Sequence, residues 1–136
     1  MAVSSLEESA IELIDLKKAF VEDDYVLKGI DLKIPKGKIT VVIGFSGTGK
    51  SVMLKHILGL LKPTSGTINI LGKNLNEMDD HEKVKMRSHF GVLFQYAALF
   101  DDMTVLDNVC FPLKEHRRDL SRSQMKDIAY AKLNKN

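Results

Sequence analysis

The sequence predicts an α/β fold, and three consecutive features carry that prediction. Ile39-Thr40-Val41-Val42-Ile43 is an unbroken, β-branched run of the kind that forms a strand covered on both faces. A glycine-rich stretch, Gly44 to Gly49, follows directly. Beyond it Met53, Leu54, Ile57, Leu58 and Leu61 recur at helical spacing up to Pro63, which is expected to stop the helix. Strand, loop and helix in that order put a helix N-terminus at the end of a central parallel strand, the place where such sheets hold anions.

The remaining elements follow in chain order. Ile11 and Leu13, then Leu27, Ile30, Leu32 and Ile34, mostly alternate with polar residues across the acidic turn Glu22-Asp23-Asp24, which predicts an antiparallel pair of half-buried strands. Pro35-Lys36-Gly37-Lys38 turns the chain into the central run. After the helix, Pro63-Thr64-Ser65-Gly66 is a turn, Thr67 to Leu71 a short strand, Gly72 to Asn76 a turn-rich connection and Asp79 to Ser88 an exposed charged helix. Phe90-Gly91-Val92-Leu93-Phe94 reads as a second core strand that delivers Gln95 at its C-terminal edge. Thr104 to Leu113 reads as a helix ended early by Pro112, and Ser121-Arg122-Ser123-Gln124 as a capping box opening a helix over Met125 to Leu133.

Composition bounds the partners. With 136 residues, 44% hydrophobic and 28% charged, the chain suits one soluble globular domain. Twenty basic against eighteen acidic side chains leave a formal charge of +2, which gives no electrostatic case for nucleic acid or an anionic membrane. The single cysteine, Cys110, can form neither an internal disulfide nor a cysteine-rich zinc site; it reads as a small buried apolar residue in a reducing, cytosolic setting. The first twenty residues lack the basic-then-apolar order of a secretory signal, and no apolar run approaches the ~20 residues that span a bilayer. A membrane role therefore has to come through a partner. His56, His81, His89 and His116 show no ligand-like spacing and are assigned to packing or the surface.

The chemistry concentrates in Gly44-Phe45-Ser46-Gly47-Thr48-Gly49-Lys50-Ser51, which matches G-x-x-x-x-G-K-[ST] between the expected strand and helix. Glycines allow unusual dihedrals that turn consecutive N–H groups inward, making a cradle for phosphate that extends to the first helical amides, Val52 included. Lys50 supplies a mobile positive charge for the β- and γ-phosphates of a nucleotide, and the Ser51 hydroxyl can ligate Mg²⁺.

The flanks of this loop make the likeness more specific. Leu27-Lys28-Gly29-Ile30-Asp31-Leu32-Lys33-Ile34 before it and Lys62-Pro63-Thr64-Ser65-Gly66-Thr67-Ile68 after it resemble the ATP-binding subunits of ABC transporters. Gln95, preceded by Leu93-Phe94, matches the Q-loop glutamine of that family. The stretch Gly91 to Phe100, with Met103-Thr104-Val105 and Asn108 to His116, is further similar to the ATPases of Mla-type phospholipid importers, which work with Mce-domain proteins. The resemblance implies a P-loop NTPase core of ABC type with an antiparallel β-subdomain, residues 11–113, followed by the start of a helical subdomain, residues 114–136. It also implies that Phe20 stacks on adenine, with Tyr25 as the alternative, and that Gln95 joins Ser51 at Mg²⁺ and senses the attacking water. Residues 96–109 would meet the coupling helix of a membrane permease, and a second copy of the ATPase would complete the site. The implied location is peripheral, on the cytoplasmic face of the inner membrane.

Three elements of the family's pattern are not identifiable: a signature loop, a Walker B acidic pair and a switch histidine. Leu120-Ser121-Arg122-Ser123-Gln124 lacks both glycines of L-S-G-G-Q and reads as a helix cap; Asp79-Asp80 and Asp101-Asp102 lie in polar turns. The fold is accordingly expected to be incomplete on its C-terminal side, with uncovered strand edges that make the chain unstable or prone to associate. A nucleoside or nucleotide kinase fits the loop but leaves the position of Gln95 unexplained. A GTPase lacks both D-x-x-G and the aspartate of N-K-x-D, and a degenerate regulatory module would use the same surface for protein contacts.

Overall fold

The computed structural model describes residues 8–94 and 98–135. The chain divides into two compact units, Met1–Gly91 and Val92–Asn136. The boundary expected after residue 113 lies inside a helix, Val105–His116.

The first unit is built on a four-stranded antiparallel sheet in the order β2-β1-β3-β4. Its longest ladder is the hairpin of β1 (Ser9–Val21) and β2 (Asp24–Pro35), turned by Glu22 and Asp23, as the alternation predicts. Leu13 pairs with Leu32 and Leu16 with Ile30, and between them β1 bulges at Asp15, whose φ is 46° and whose N–H donates to Asp31 Oδ1 at 2.8 Å. The bulge restores an inward side chain, so Leu13 and Leu16 are both fully buried. On the other side of β1 lies β3 (Ser65–Ile70), which continues into the two-residue strand β4 (Lys73–Asn74). Leu71 and Gly72, both at positive φ, form the two-residue turn whose twist suits a hairpin.

Helix α1 (Lys50–Ile57) buries Met53, His56 and Ile57 against this sheet. Met53 and Ile57 join Leu13, Leu16, Leu27, Ile68 and Ile70 in one core, to which Leu75, Met78 and Met86 are added from β4 onward. The helix ends six residues before Pro63, the expected stop. Gly59 at φ 67° closes it: its N–H donates to His56 O at 2.9 Å, and the Leu60 N–H donates to Lys55 O at 2.8 Å, a Schellman cap. Helix α2 (Asp80–Arg87) begins at Asp79, which accepts from Glu82 N while the Glu82 side chain accepts from Asp79 N.

Two expected strands are not present. Ile39–Ile43 and Phe90–Phe94 carry the apolar, β-branched or aromatic composition of core strands, yet neither belongs to the described sheet. A strand exists only through a neighbour that takes its N–H and C=O groups, and no described strand lies alongside either run. Ile39 is 95% exposed, Ile43 91% and Leu93 95%.

The second unit pairs α3 (Val105–His116) with α4 (Arg122–Leu133). Ser121 and Gln124 form the expected capping box at α4, and Cys110 is buried as expected. Pro112 does not end α3; it occupies an exposed position, where water can satisfy the carbonyl it leaves without a donor, and the helix runs on for four residues. Ahead of α3, Asn108 fastens the preceding turn, accepting from Phe100 N at 2.8 Å and donating to Phe100 O and Met103 O. The Phe100 and Phe111 rings lie 4.8 Å apart. Among the described residues no helix is long and apolar enough to cross a membrane.

Candidate functional site

The glycine-rich loop lies where α1 leaves the β-core. Gly47 and Gly49 both take positive φ, 82° and 89°, on either side of Thr48, the alternation of hand from which anion-binding nests are built, and the Thr48 N–H donates to Phe45 O at 3.4 Å. Gly49 also has no room for a side chain: a Cβ there would stand 2.7 Å from Leu27 Cδ2 and 3.2 Å from Val26 O. It occupies the N-cap of α1 without a side-chain cap, so the first-turn amides of the helix remain available to an anion.

Lys50 reaches back across the loop. Its Nζ donates to Gly44 O and to Phe45 O, each at 2.6 Å, and lies 3.5 Å from Thr48 Oγ1. Thr48 in turn donates from its hydroxyl to Phe45 O at 2.9 Å. The ammonium thus sits inside the loop, held by backbone carbonyls that an arriving phosphate oxygen can replace. Ser51 is exposed at the start of the helix, with its hydroxyl open to a cation.

Ser46, Gly47, Gly49, Lys50, Ser51 and Val52 line one cavity of about 480 Å³, so most of the expected phosphate-binding residues meet there. Gly44 and Phe45 line another cavity of about 330 Å³, together with Val42 and Met53, which shares Gly49 and Lys50 with the first. Val26 is a lining residue that the sequence reading missed. It is the position next to Leu27 on β2, and strand alternation turns it away from the core residue and toward the loop; that parity was the available signal.

Phe20 lies near the end of β1, 59% exposed, with Lys18 Nζ 5.3 Å from its ring centroid. Lys18 also donates to Lys62 O at 2.9 Å, so one face of the ring is backed by a tethered cation. Phe20 lines neither cavity at the loop. Gln95 lies outside the described residues. Of the histidines, His56 is fully buried in α1 with Nδ1 2.7 Å from Val52 O and no partner at Nε2, whereas His81 and His89 are exposed.

A family model described as ABC transporter matches residues 27–136. The chain belongs to the ABC transporter ATP-binding family. Among curated relatives, it is 44% identical over 124 residues to the "Probable ribonucleotide transport ATP-binding protein mkl" of Mycobacterium leprae, covering 91% of this chain and 35% of that protein. It is 38% identical over 113 residues to the "Intermembrane phospholipid transport system ATP-binding protein MlaF" of Escherichia coli, covering 82% of this chain and 42% of that one. Among solved structures, the cassette MJ0796, described as a dimeric bacterial ABC transporter cassette, superposes with a TM-score of 0.78 at 34% identity, over 89% of this chain and 54% of that chain. The same cassette has been solved bound to ADP and Pi, with a TM-score of 0.77. The α/β cassette assignment therefore holds, although the sheet described here is wholly antiparallel. The chain spans between a third and a half of the length of the curated relatives it matches.

Proposed function

We propose that this chain is the nucleotide-holding part of a transport ATPase that moves phospholipid through a membrane permease. The observation that carries the reading is the Lys50 ammonium folded onto Gly44 O and Phe45 O at the uncapped N-terminus of α1. In this reading the β- and γ-phosphates of ATP replace those carbonyls as partners of Lys50, and the amides from Gly47 to Val52 take the remaining phosphate oxygens. Ser51 and Gln95 hold Mg²⁺, whose chemistry is to neutralise charge on the phosphates. Phe20 offers a π-face to adenine, with Lys18 fixing the other side of the ring.

A second copy of the ATPase, a permease in the inner membrane and, through it, an Mce-domain protein are the partners this reading requires. They place the chain on the cytoplasmic face. The phospholipid assignment draws on the similarity to MlaF and on residues 91–116; the relatives named for ribonucleotide transport mark the rival cargo.

Genetic complementation separates the two cargoes. In a strain lacking its Mla-type ATPase, a gene in which this sequence replaces the matching segment should restore outer-membrane lipid asymmetry, and Lys50→Ala in that gene should not. Restored ribonucleotide uptake in a transport-deficient strain, with lipid asymmetry unrestored, would assign the cargo to the other class.

A further inference from the structure

We infer that the cleft between the β3–β4 hairpin and α2 is a docking site for a peptide that presents an apolar side chain flanked by carboxylates. The cleft encloses about 380 Å³, and none of its lining residues belongs to the phosphate loop. Ile70, Met78 and Met86 form its floor, and all three are buried. Methionine side chains adapt to the shape of whatever apolar group enters.

The rim carries two lysine ammonium groups and two histidines. Lys73 stands on β4, while His81, Lys85 and His89 follow one another at four-residue spacing and so share one face of α2 and its C-terminal turn. The described ion pairs of the chain all lie elsewhere, so neither Lys73 nor Lys85 has a carboxylate partner among the described residues. Glu82 is the one carboxylate lining the cleft, and its Oε2 accepts the Asp79 N–H at 3.1 Å in the capping box. It is committed to the start of the helix rather than to the lysines.

The spacing selects the occupant. From His81 to the end of α2 at Arg87 the helix rises about 9 Å, and His89 follows in the turn beyond it, so the rim is longer than one carboxylate or phosphate group can span. Three to four extended residues, at about 3.3 Å each, match that length and can set carboxylates on either side of a central apolar anchor. A flat anionic bilayer meets the rim but not the floor, because Met78 and Met86 are only 7% exposed. Charge complementarity of this kind sets orientation and association rate, and the buried apolar anchor contributes most of the affinity.

The test is fluorescence anisotropy on the whole chain with a labelled peptide of sequence Asp-Glu-Leu-Leu-Glu-Asp. The charge-reversed peptide Lys-Lys-Leu-Leu-Lys-Lys and vesicles of phosphatidylcholine and phosphatidylglycerol serve as comparison arms. The expected result is saturable binding of the acidic peptide, weakened roughly tenfold or more by Lys73→Glu with Lys85→Glu and by a smaller factor by the glutamine pair. Lys126→Glu, on an exposed part of α4, and Lys50→Ala should leave binding unchanged. Both cleft positions are exposed, and circular dichroism of the glutamine pair separates lost binding from lost folding. Absence of saturable binding, equal binding to the charge-reversed variant, or equal binding of the basic peptide would overturn the proposal. Vesicle binding that depends on Lys73 and Lys85, without peptide binding, would do so too and would assign the patch to a membrane surface.

Discussion

Two kinds of apolar sequence flank the phosphate loop, and they behave oppositely. The β1–β2 hairpin, α1 and β3 bury Leu13, Leu16, Leu27 and Ile68 almost completely, whereas the Ile39–Ile43 run, equally apolar, leaves Ile39 and Ile43 more than nine-tenths exposed. The difference is one of partners. A hairpin finds its ladder a few residues away, and α1 needs only the sheet it lands on. A parallel strand needs neighbours supplied by distant crossovers. Hydrophobicity alone therefore marks what can be buried, and topology decides what is.

The largest effect should come from the buried side. Leu16→Ala removes a fully buried side chain and should lower stability by about 2–5 kcal/mol, whereas Ile43→Ala should change it by less than about 0.5 kcal/mol, as measured by urea denaturation. Equal losses would show that the 39–43 run is packed in solution. Ile43→Asp together with Leu93→Asp sharpens the same point. Light scattering should show less self-association than in the parent chain, with unchanged helical dichroism, since both positions are exposed.

Gly49 joins the two regions, and Gly49→Ala meets both a positive φ and Leu27 2.7 Å away. It should cost about 1–3 kcal/mol and weaken nucleotide binding as well, whereas Gly37→Ala, at positive φ with open space around it, tests the backbone contribution alone. The smallest effect is expected in the second unit. The Arg117 guanidinium beside Asp119 holds its carboxyl down at about 2, so that pair's contribution is present above the ordinary carboxylate range and lost as pH falls through about 2. Arg117→Ala should raise the Asp119 carboxyl toward the ordinary carboxylate range, short of it because the backbone hydrogen bond at Asp119 still lowers it, read by NMR titration.

Local signals in the sequence proved sufficient where the structure is local. The acidic turn at Glu22-Asp23-Asp24, the loop glycines and the Ser121–Gln124 box each act within a few residues, and each is found where the sequence places it. The end of α1 was misread because Pro63 is the more visible stop, while Gly59 closes the helix earlier by adopting a conformation that composition only permits. Pro112 was misread in the opposite sense, since its cost depends on whether the freed carbonyl meets water, which is a tertiary fact. Val26 is marked in the sequence only by its parity beside Leu27 on β2, and the cleft beside α2 emerges only when β4 and α2 are brought together in space.

The central claim is that Gly44 to Ser51 is a folded nucleotide cradle whose lysine exchanges backbone carbonyls for phosphate. Isothermal titration of the chain with MgATP, beside Lys50→Ala of matching circular dichroism, tests it most directly. The account predicts saturable binding by the parent chain and at least a roughly tenfold loss in the variant, in keeping with removal of a charge-assisted contact. No heat of binding at millimolar MgATP, or equal affinity in the two proteins, would contradict it.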